Sequence, residues 1–223
     1  MTAALSVPTA AGPLYPVDTR LRPSGTQGPL VVSLDSFARY QREEAWTWEH
    51  MALTRARPVF GSAAARAAAA AVVAEVLAGA RPTRDLAGEA VAMRAEMARH
   101  KPPTGPLDAK LLPGGLVDLE FTVHLTQLRH RTGLDPHLDT AIAALVGEEL
   151  LPAGLAAAND LLTRLLVVLR LVAPDAAEPP PATRELIARA LRREDWAAVL
   201  AALAATRQEV GAAWTHATGD GHG

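Results

Sequence analysis

The chain has 223 residues, a formal net charge of −2 and no cysteine. That length allows one domain or two small ones. The missing cysteine excludes disulfides, zinc-thiolate sites and thiol catalysis, and it fits a reducing, cytoplasmic setting. The near-neutral charge gives no basic field for nucleic acid. Hydrophobic residues make up 49% of the chain, many of them alanine, while aromatics are only 4%. Closely packed helices, not a β-sandwich, suit such a composition.

Residues 1–13 are small and unpatterned, with no basic residue and no long apolar core, so they do not read as a secretory signal. The next stretch is the least composition-like in the chain: Tyr15-Pro16-Val17-Asp18-Thr19-Arg20-Leu21-Arg22-Pro23-Ser24-Gly25. As a strand it puts Tyr15, Val17 and Leu21 on one face and Asp18, Arg20 and Arg22 on the other. Pro23-Ser24-Gly25 then ends the strand in a turn. An acid beside two arginines suits a metal-phosphate site, and it equally suits an exposed face with an internal Asp–Arg pair.

Ser33 reads as a helix N-cap with Asp35 in the first turn. Leu34, Phe37, Ala38 and Gln41 share a face. The helical pattern runs on through Glu43 and Glu44 to Arg57, where Pro58 stops it. Trp48 and Met51 are expected to pack in a core. Arg55 and Arg57 close this helix, facing back towards the strand, although a basic last turn is also ordinary helix-dipole chemistry. Residues 62–79 form an alanine-dominated helix with a packing role. Asp85 and Thr83 restart a helix that runs to His100, with Leu86, Ala90, Met93 and Met97 as its apolar stripe.

Pro113-Gly114-Gly115 is a tight connection into another helix. Val117, Phe121, Leu125 and Leu128 are its expected buried stripe. Asp118 lies near the favourable end of its dipole. Glu120, His124, Gln127 and Arg131 are expected to form its polar outer face. In a second reading, Lys110, Asp118 and Glu120 stand near a bound nucleotide. Further helices are expected over residues 138–151, 152–173, 183–192 and 195–216, with a proline-rich loop at 174–181. The apolar run at 161–173 is interrupted by Arg164 and Arg170, so it reads as a buried helix and not a membrane span. No phosphate-binding glycine loop, zinc-binding His-Glu-x-x-His or Gly-x-Ser-x-Gly elbow occurs.

Three ordered blocks carry a family likeness. They are Asp18-Thr-Arg-Leu-Arg-Pro-Ser-Gly, Tyr40-Gln-Arg-Glu-Glu-Ala-Trp-Thr-Trp-Glu-His-Met-Ala-Leu-Thr-Arg-Ala-Arg, and Lys110-Leu-Leu-Pro-Gly-Gly-Leu-Val-Asp-Leu-Glu-Phe. Together they resemble the bifunctional glutamine synthetase adenylyltransferase/adenylyl-removing enzymes, over the span from about residue 14 to the last helix. The second block resembles the C-terminal, adenylylating half of that family. The resemblance implies a mainly α fold: a helical-bundle domain preceded by the C-terminal remnant of a polymerase-β-type nucleotidyltransferase domain, one or two strands plus helices. The implied division is 1–61 for the remnant and 62–223 for the helical domain.

The implied activity is transfer of AMP from ATP to a tyrosine of glutamine synthetase, with two Mg2+ ions. Asp18 matches the third metal carboxylate of that site, and Arg20 and Arg22 match phosphate-stabilising residues. Arg55, Arg57 and Lys110 are further phosphate-binding candidates. Gly114, Gly115, Asp118 and Glu120 belong to the helical-domain block that faces the nucleotide. The chain departs from the family pattern before Asp18, where none of the 17 residues is acidic and the family's Asp-x-Asp pair is missing. One carboxylate of three cannot hold two cations, so little or no activity is expected of the chain alone. Leu112 is a smaller departure, standing where the family usually has a small, basic or polar residue. The alternative is a non-catalytic helical module that binds glutamine synthetase or a PII-type signal protein. A related uridylyltransferase is a weaker reading, disfavoured by Trp46-Thr-Trp-Glu-His.

Overall fold

The computed structural model describes residues 7–10, 12–13, 18–19, 22–81 and 85–219. Pro8–Thr9 (β1) and Gly12–Pro13 (β2) pair antiparallel in a two-residue hairpin, within a stretch where no strand is expected. The strand expected over residues 15–22 largely falls on Tyr15, Pro16, Val17, Arg20 and Leu21, which lie outside the described residues. Asp18 and Thr19 have no strand pairing, and Arg22 sits in a bend before the short 3-10 turn Gly25–Gln27.

Nine α-helices follow among the described residues: α1 (Leu34–Glu43), α2 (Thr47–Leu53), α3 (Ala63–Ala78), α4 (Leu86–His100), α5 (Leu116–His130), α6 (Leu138–Gly147), α7 (Gly154–Val172), α8 (Pro181–Ala190) and α9 (Trp196–Gly219). The start of α1 is capped as its sequence predicts, and α3 and α4 start in the same way. Ser33, Ser62 and Asp85 each accept an N–H three residues on, from Ser36, Ala65 and Gly88. Thr83 lies outside the described residues.

One expectation is corrected here. Residues 34–57 do not form a single helix. The backbone N–H groups of Glu44 and Ala45 both turn back to the Tyr40 carbonyl, and Ala45 is fully buried. The Glu49 carboxylate then accepts the Trp46 N–H at 2.9 Å, starting a second helix in a new direction. That helix ends at Leu53, well before Pro58, where the Thr54 hydroxyl donates to the Met51 carbonyl at 2.8 Å. Arg55 therefore stands in a turn beyond the last helical residue, and Arg57 in the irregular segment after it.

The packing runs through α5. It contacts α2, α4, α6, α7 and α9. One apolar core joins α5 to α6–α9, with Leu119, Val123, Ile142, Leu145, Leu162 and Val210 at its centre. A second core joins α5 to α2, α3, α4 and the end of α9 through Met51, Leu53, Val76, Ala90, Leu125, Leu128 and Ala217. Phe121 and Trp214 meet edge-to-face there at 6.0 Å. This core spans position 61, because α2 precedes it and its partners follow. The expected polar outer face of α5 is largely enclosed: of its four residues, His124 and Gln127 are buried, while Glu120 and Arg131 reach towards solvent. The apolar run at 161–173 lies in α7 up to Val172, as a packed helix. No described helix is long and apolar enough to cross a membrane.

Candidate functional site

The break between α1 and α2 opens a cavity of about 560 Å³. Arg22, Gln41, Glu49 and Arg55 supply its polar lining; Phe37 and Leu53 are among its apolar walls. Arg22 does not point freely into this space. Its guanidinium donates to the carbonyls of Thr19 and Gly28, which ties these two residues to Arg22. The Tyr40 hydroxyl lies 2.9 and 3.0 Å from the two Glu49 oxygens. Burial raises the Tyr40 pKa first, and its bond to the Glu49 carboxylate raises it further. Glu49 thus serves Tyr40 and the Trp46 N–H together. The buried Gln41 Oε1, by contrast, has no hydrogen-bond partner among the described residues.

His50 is buried and holds the backbone of the cavity-lining Gln41. The Arg81 Nε stands 3.3 Å from His50 Nδ1 and can only donate, so Nδ1 accepts. His50 Nε2–H then donates to the Gln41 carbonyl at 2.8 Å. Arg81 also binds the carbonyls of Val76 and Gly79, closing the C-terminal end of α3.

Arg55 reaches the cavity from the other side. It lies 3.5 Å from Glu120 on α5 and is half exposed, so most of its five N–H donors remain available to a ligand. Arg57 is exposed one residue past the cavity-lining Ala56.

The Lys110 block makes a separate, structural node. Asp118 is buried, ion-paired to Arg94 Nε of α4, and accepts the Gly114 N–H at 2.6 Å. Arg94 also donates to the Leu111 carbonyl. From α9, Arg207 donates to the Pro113 carbonyl at 2.8 Å. Gly114 has φ +76°, and a Cβ there would fall 2.1 Å from the Arg207 carbonyl oxygen. At Gly115 a Cβ would crowd the carbonyls of Ala109 and Leu112 at 2.8 Å. Burial works to raise the Asp108 pKa, yet N–H donors from Thr104, Leu111 and Lys110 outweigh it and hold the carboxyl below its ordinary range. Lys110 itself is exposed, at the edge of a smaller cavity against Leu169 and Arg170 of α7.

The cavity therefore collects Arg22 and Arg55, with Glu120 held to Arg55. Asp118, Gly114 and Gly115 are committed to the turn before α5. Asp18 is exposed, and Arg20 lies outside the described residues. As a donor set for Mg2+ this falls short. Glu49, Asp118 and Glu120 are already engaged by Tyr40, Arg94 and Arg55. Among the described residues no three carboxylates or histidines converge. The contacts of Tyr40 and Arg94, and the burial of Gln41 beside the cavity, were not legible in the residue pattern. The spacing of Trp46 and Glu49, an acid three residues after a helix start, was the available signal for the first of these contacts. A single arginine on α4 gave no signal of its own.

A family model described as glutamate-ammonia ligase adenylyltransferase matches residues 1–72, the part that carries the cavity. That part of the chain is therefore similar to adenylyltransferases, a class of nucleotidyl-transferring enzymes. Three curated relatives extend the match over most of the chain. Each is a bifunctional glutamine synthetase adenylyltransferase/adenylyl-removing enzyme. That of Brucella suis is 42% identical over 198 residues, 85% of this chain and 20% of the relative. That of Agrobacterium fabrum is 40% identical over 204 residues, 87% and 21% respectively. That of Xanthobacter autotrophicus is 40% identical over 223 residues, 94% and 22%. The chain is thus similar to the glutamine synthetase adenylyltransferases over most of its own length, and it spans about a fifth of the length of the curated relatives it matches.

Proposed function

We propose that the chain works as part of a cytoplasmic enzyme that moves AMP from ATP to a tyrosine of glutamine synthetase. In this reading it belongs to the C-terminal, adenylylating half. Residues 1–61 end the nucleotidyltransferase domain, and residues 62–223 form the helical domain behind it. The family match, at 40–42% identity over 85–94% of the chain, carries this reading. The cavity supports it, since two guanidiniums beside apolar walls suit the phosphates and body of a nucleotide. Arg55 would stabilise charge developing on the transferred phosphoryl group. Arg22 would act by holding the loop that follows Asp18. Arg20, Arg57 and Lys110 would add to the positive potential. A PII-type signal protein would be the regulatory partner.

Mg2+ would supply charge neutralisation at the phosphates, but the donors present do not form its site. Asp18 is the one family metal carboxylate here, and no Asp-x-Asp occurs in the 223 residues. No step through the metal is therefore assigned to this chain's residues. The chain alone is expected to bind glutamine synthetase and to transfer no AMP. Incubation with α-labelled ATP, Mg2+ and glutamine synthetase, beside a calorimetric titration of the two proteins, tests both points. Label on glutamine synthetase, or no binding at all, would refute the corresponding half.

A further inference from the structure

His124 lies buried on α5 directly behind the Arg55 turn, in a hydrogen-bond chain whose proton positions can be worked out from one end to the other. The Gly133 carbonyl can only accept, and it lies 2.7 Å from Gln127 Nε2. The Gln127 amide is thereby oriented with Oε1 towards His124 Nδ1, 2.9 Å away. On the other side, Thr54 Oγ1 is also 2.9 Å from Nδ1. Its single proton is already given to the Met51 carbonyl at 2.8 Å. Two acceptors therefore face His124 Nδ1, so Nδ1 carries the proton and shares it between them. Nε2 is left as a bare lone pair, buried and without a partner among the described residues. Such an orphan is costly to keep. A purely apolar side chain at this point of α5 would avoid it.

The chain links three pieces of structure: the last turn of α2, helix α5, and the Gly133 loop. Its outer end is Thr54, and the next residue is Arg55. Glu120, one helical turn before His124 on α5, holds the Arg55 guanidinium. One face of α5 thus grips the Thr54–Arg55 pair twice, by backbone-anchored hydroxyl and by guanidinium.

We propose that His124 is a positioning residue for Arg55: as a neutral Nδ1–H donor it fixes Thr54 and the turn after α2, and so aims the Arg55 guanidinium into the cavity. The role of Arg55 towards a nucleotide rests on the function proposed above; the relay through Thr54, His124 and Gln127 does not.

The test uses the whole 223-residue chain, labelled with 15N. In His124→Asn the amide nitrogen can stand where Nδ1 stands and keep the donor. In His124→Gln the amide reaches the Nε2 position, and the donor to Thr54 is lost. Thr54→Val removes the acceptor with little change of shape and serves if His124→Gln does not fold. The expected tautomer is Nδ1–H, read from long-range 15N–1H couplings of the imidazole. The Arg55 Nε–H resonance should stay in place in His124→Asn and shift in His124→Gln and Thr54→Val. ATP affinity, measured by calorimetry, should fall by about tenfold in the last two and by less than about twofold in the first, the size expected for one lost hydrogen bond. An Nε2–H tautomer, or equal displacement of Arg55 by Asn and Gln, would overturn the relay. A parent chain that does not bind ATP would instead remove the nucleotide role of the cavity, with the relay still decided by the resonances.

Discussion

The buried imidazole of His124 should make this fold sensitive to mild acid in a way that can be isolated. Burial is the main reason its pKa falls from the ordinary 6.5 to about 4; the nearby Arg55 charge adds to the fall, and the acceptor Gln127 Oε1 opposes it. In the unfolded chain the same group titrates near 6.5. Between these values the unfolded state takes up a proton that the native state refuses, so stability falls as pH falls. At 1.36 kcal/mol per pKa unit, the loss between pH 7 and pH 4 comes to about 3 kcal/mol. Below pH 4 the native imidazole also protonates and the loss levels off. For a chain of this size that is a fall in Tm of roughly 6–12 °C. Carboxylates titrate over the same range, so the parent must be compared with His124→Asn, which has nothing to protonate there. Urea unfolding of both at pH 7, 6, 5 and 4 gives the difference directly. The parent should lose about 3 kcal/mol more than the variant over that range. Two stability curves running parallel from pH 7 to pH 4 would refute the placement of a neutral, enclosed imidazole.

Two further outcomes follow from the turn before α5. Arg94→Ala should cost about 3–5 kcal/mol in urea unfolding, because it leaves Asp118, 6% exposed, without its counter-charge; Asp118→Asn on the same background should recover part of the loss, and no recovery would argue against the ion pair. Gly114→Ala should lower stability by more than about 1 kcal/mol, through its left-handed φ and its contact with the Arg207 carbonyl. A Gly114→Ala chain as stable as the parent would show that α9 does not press on this turn.

Helix existence could be read from the residues because its causes are local. Ser33 caps the helix expected to follow it, Asp85 starts the helix expected from it, and Ser62 caps a third in the same local way. Pro113-Gly114-Gly115 leads straight into α5. What the pattern could not give was the environment of polar groups. Glu120, His124 and Gln127 repeat at spacings that an outer face would show, yet His124 and Gln127 are buried because Thr54 and Gly133 wait for them from elsewhere in the chain. Periodicity reports which residues share a face, and it is silent on what covers that face. The α1–α2 break was hidden for a similar reason, since Glu43, Glu44 and Ala45 are all acceptable in a helix. It takes the Tyr40 carbonyl and the Glu49 carboxylate, acting together, to stop one helix and start another. Of the cavity, Arg22 and Arg55 were legible as cations; the bonds that fix Arg22 to its own loop were not.

Helices α5 and α9 each contribute to both apolar cores. The arrangement resembles two rooms sharing their load-carrying walls. Trp214 and Ala217, near the far end of the chain, help to support the same room as Met51 and Leu53 beside the cavity. Shortening α9 by two turns would therefore strip cover from α2, although Leu53 and Trp214 are separated by about 160 positions. Melting should accordingly run through the cavity and the C-terminal helices as one event, and dissecting the chain at position 61 would leave both pieces with an open apolar side.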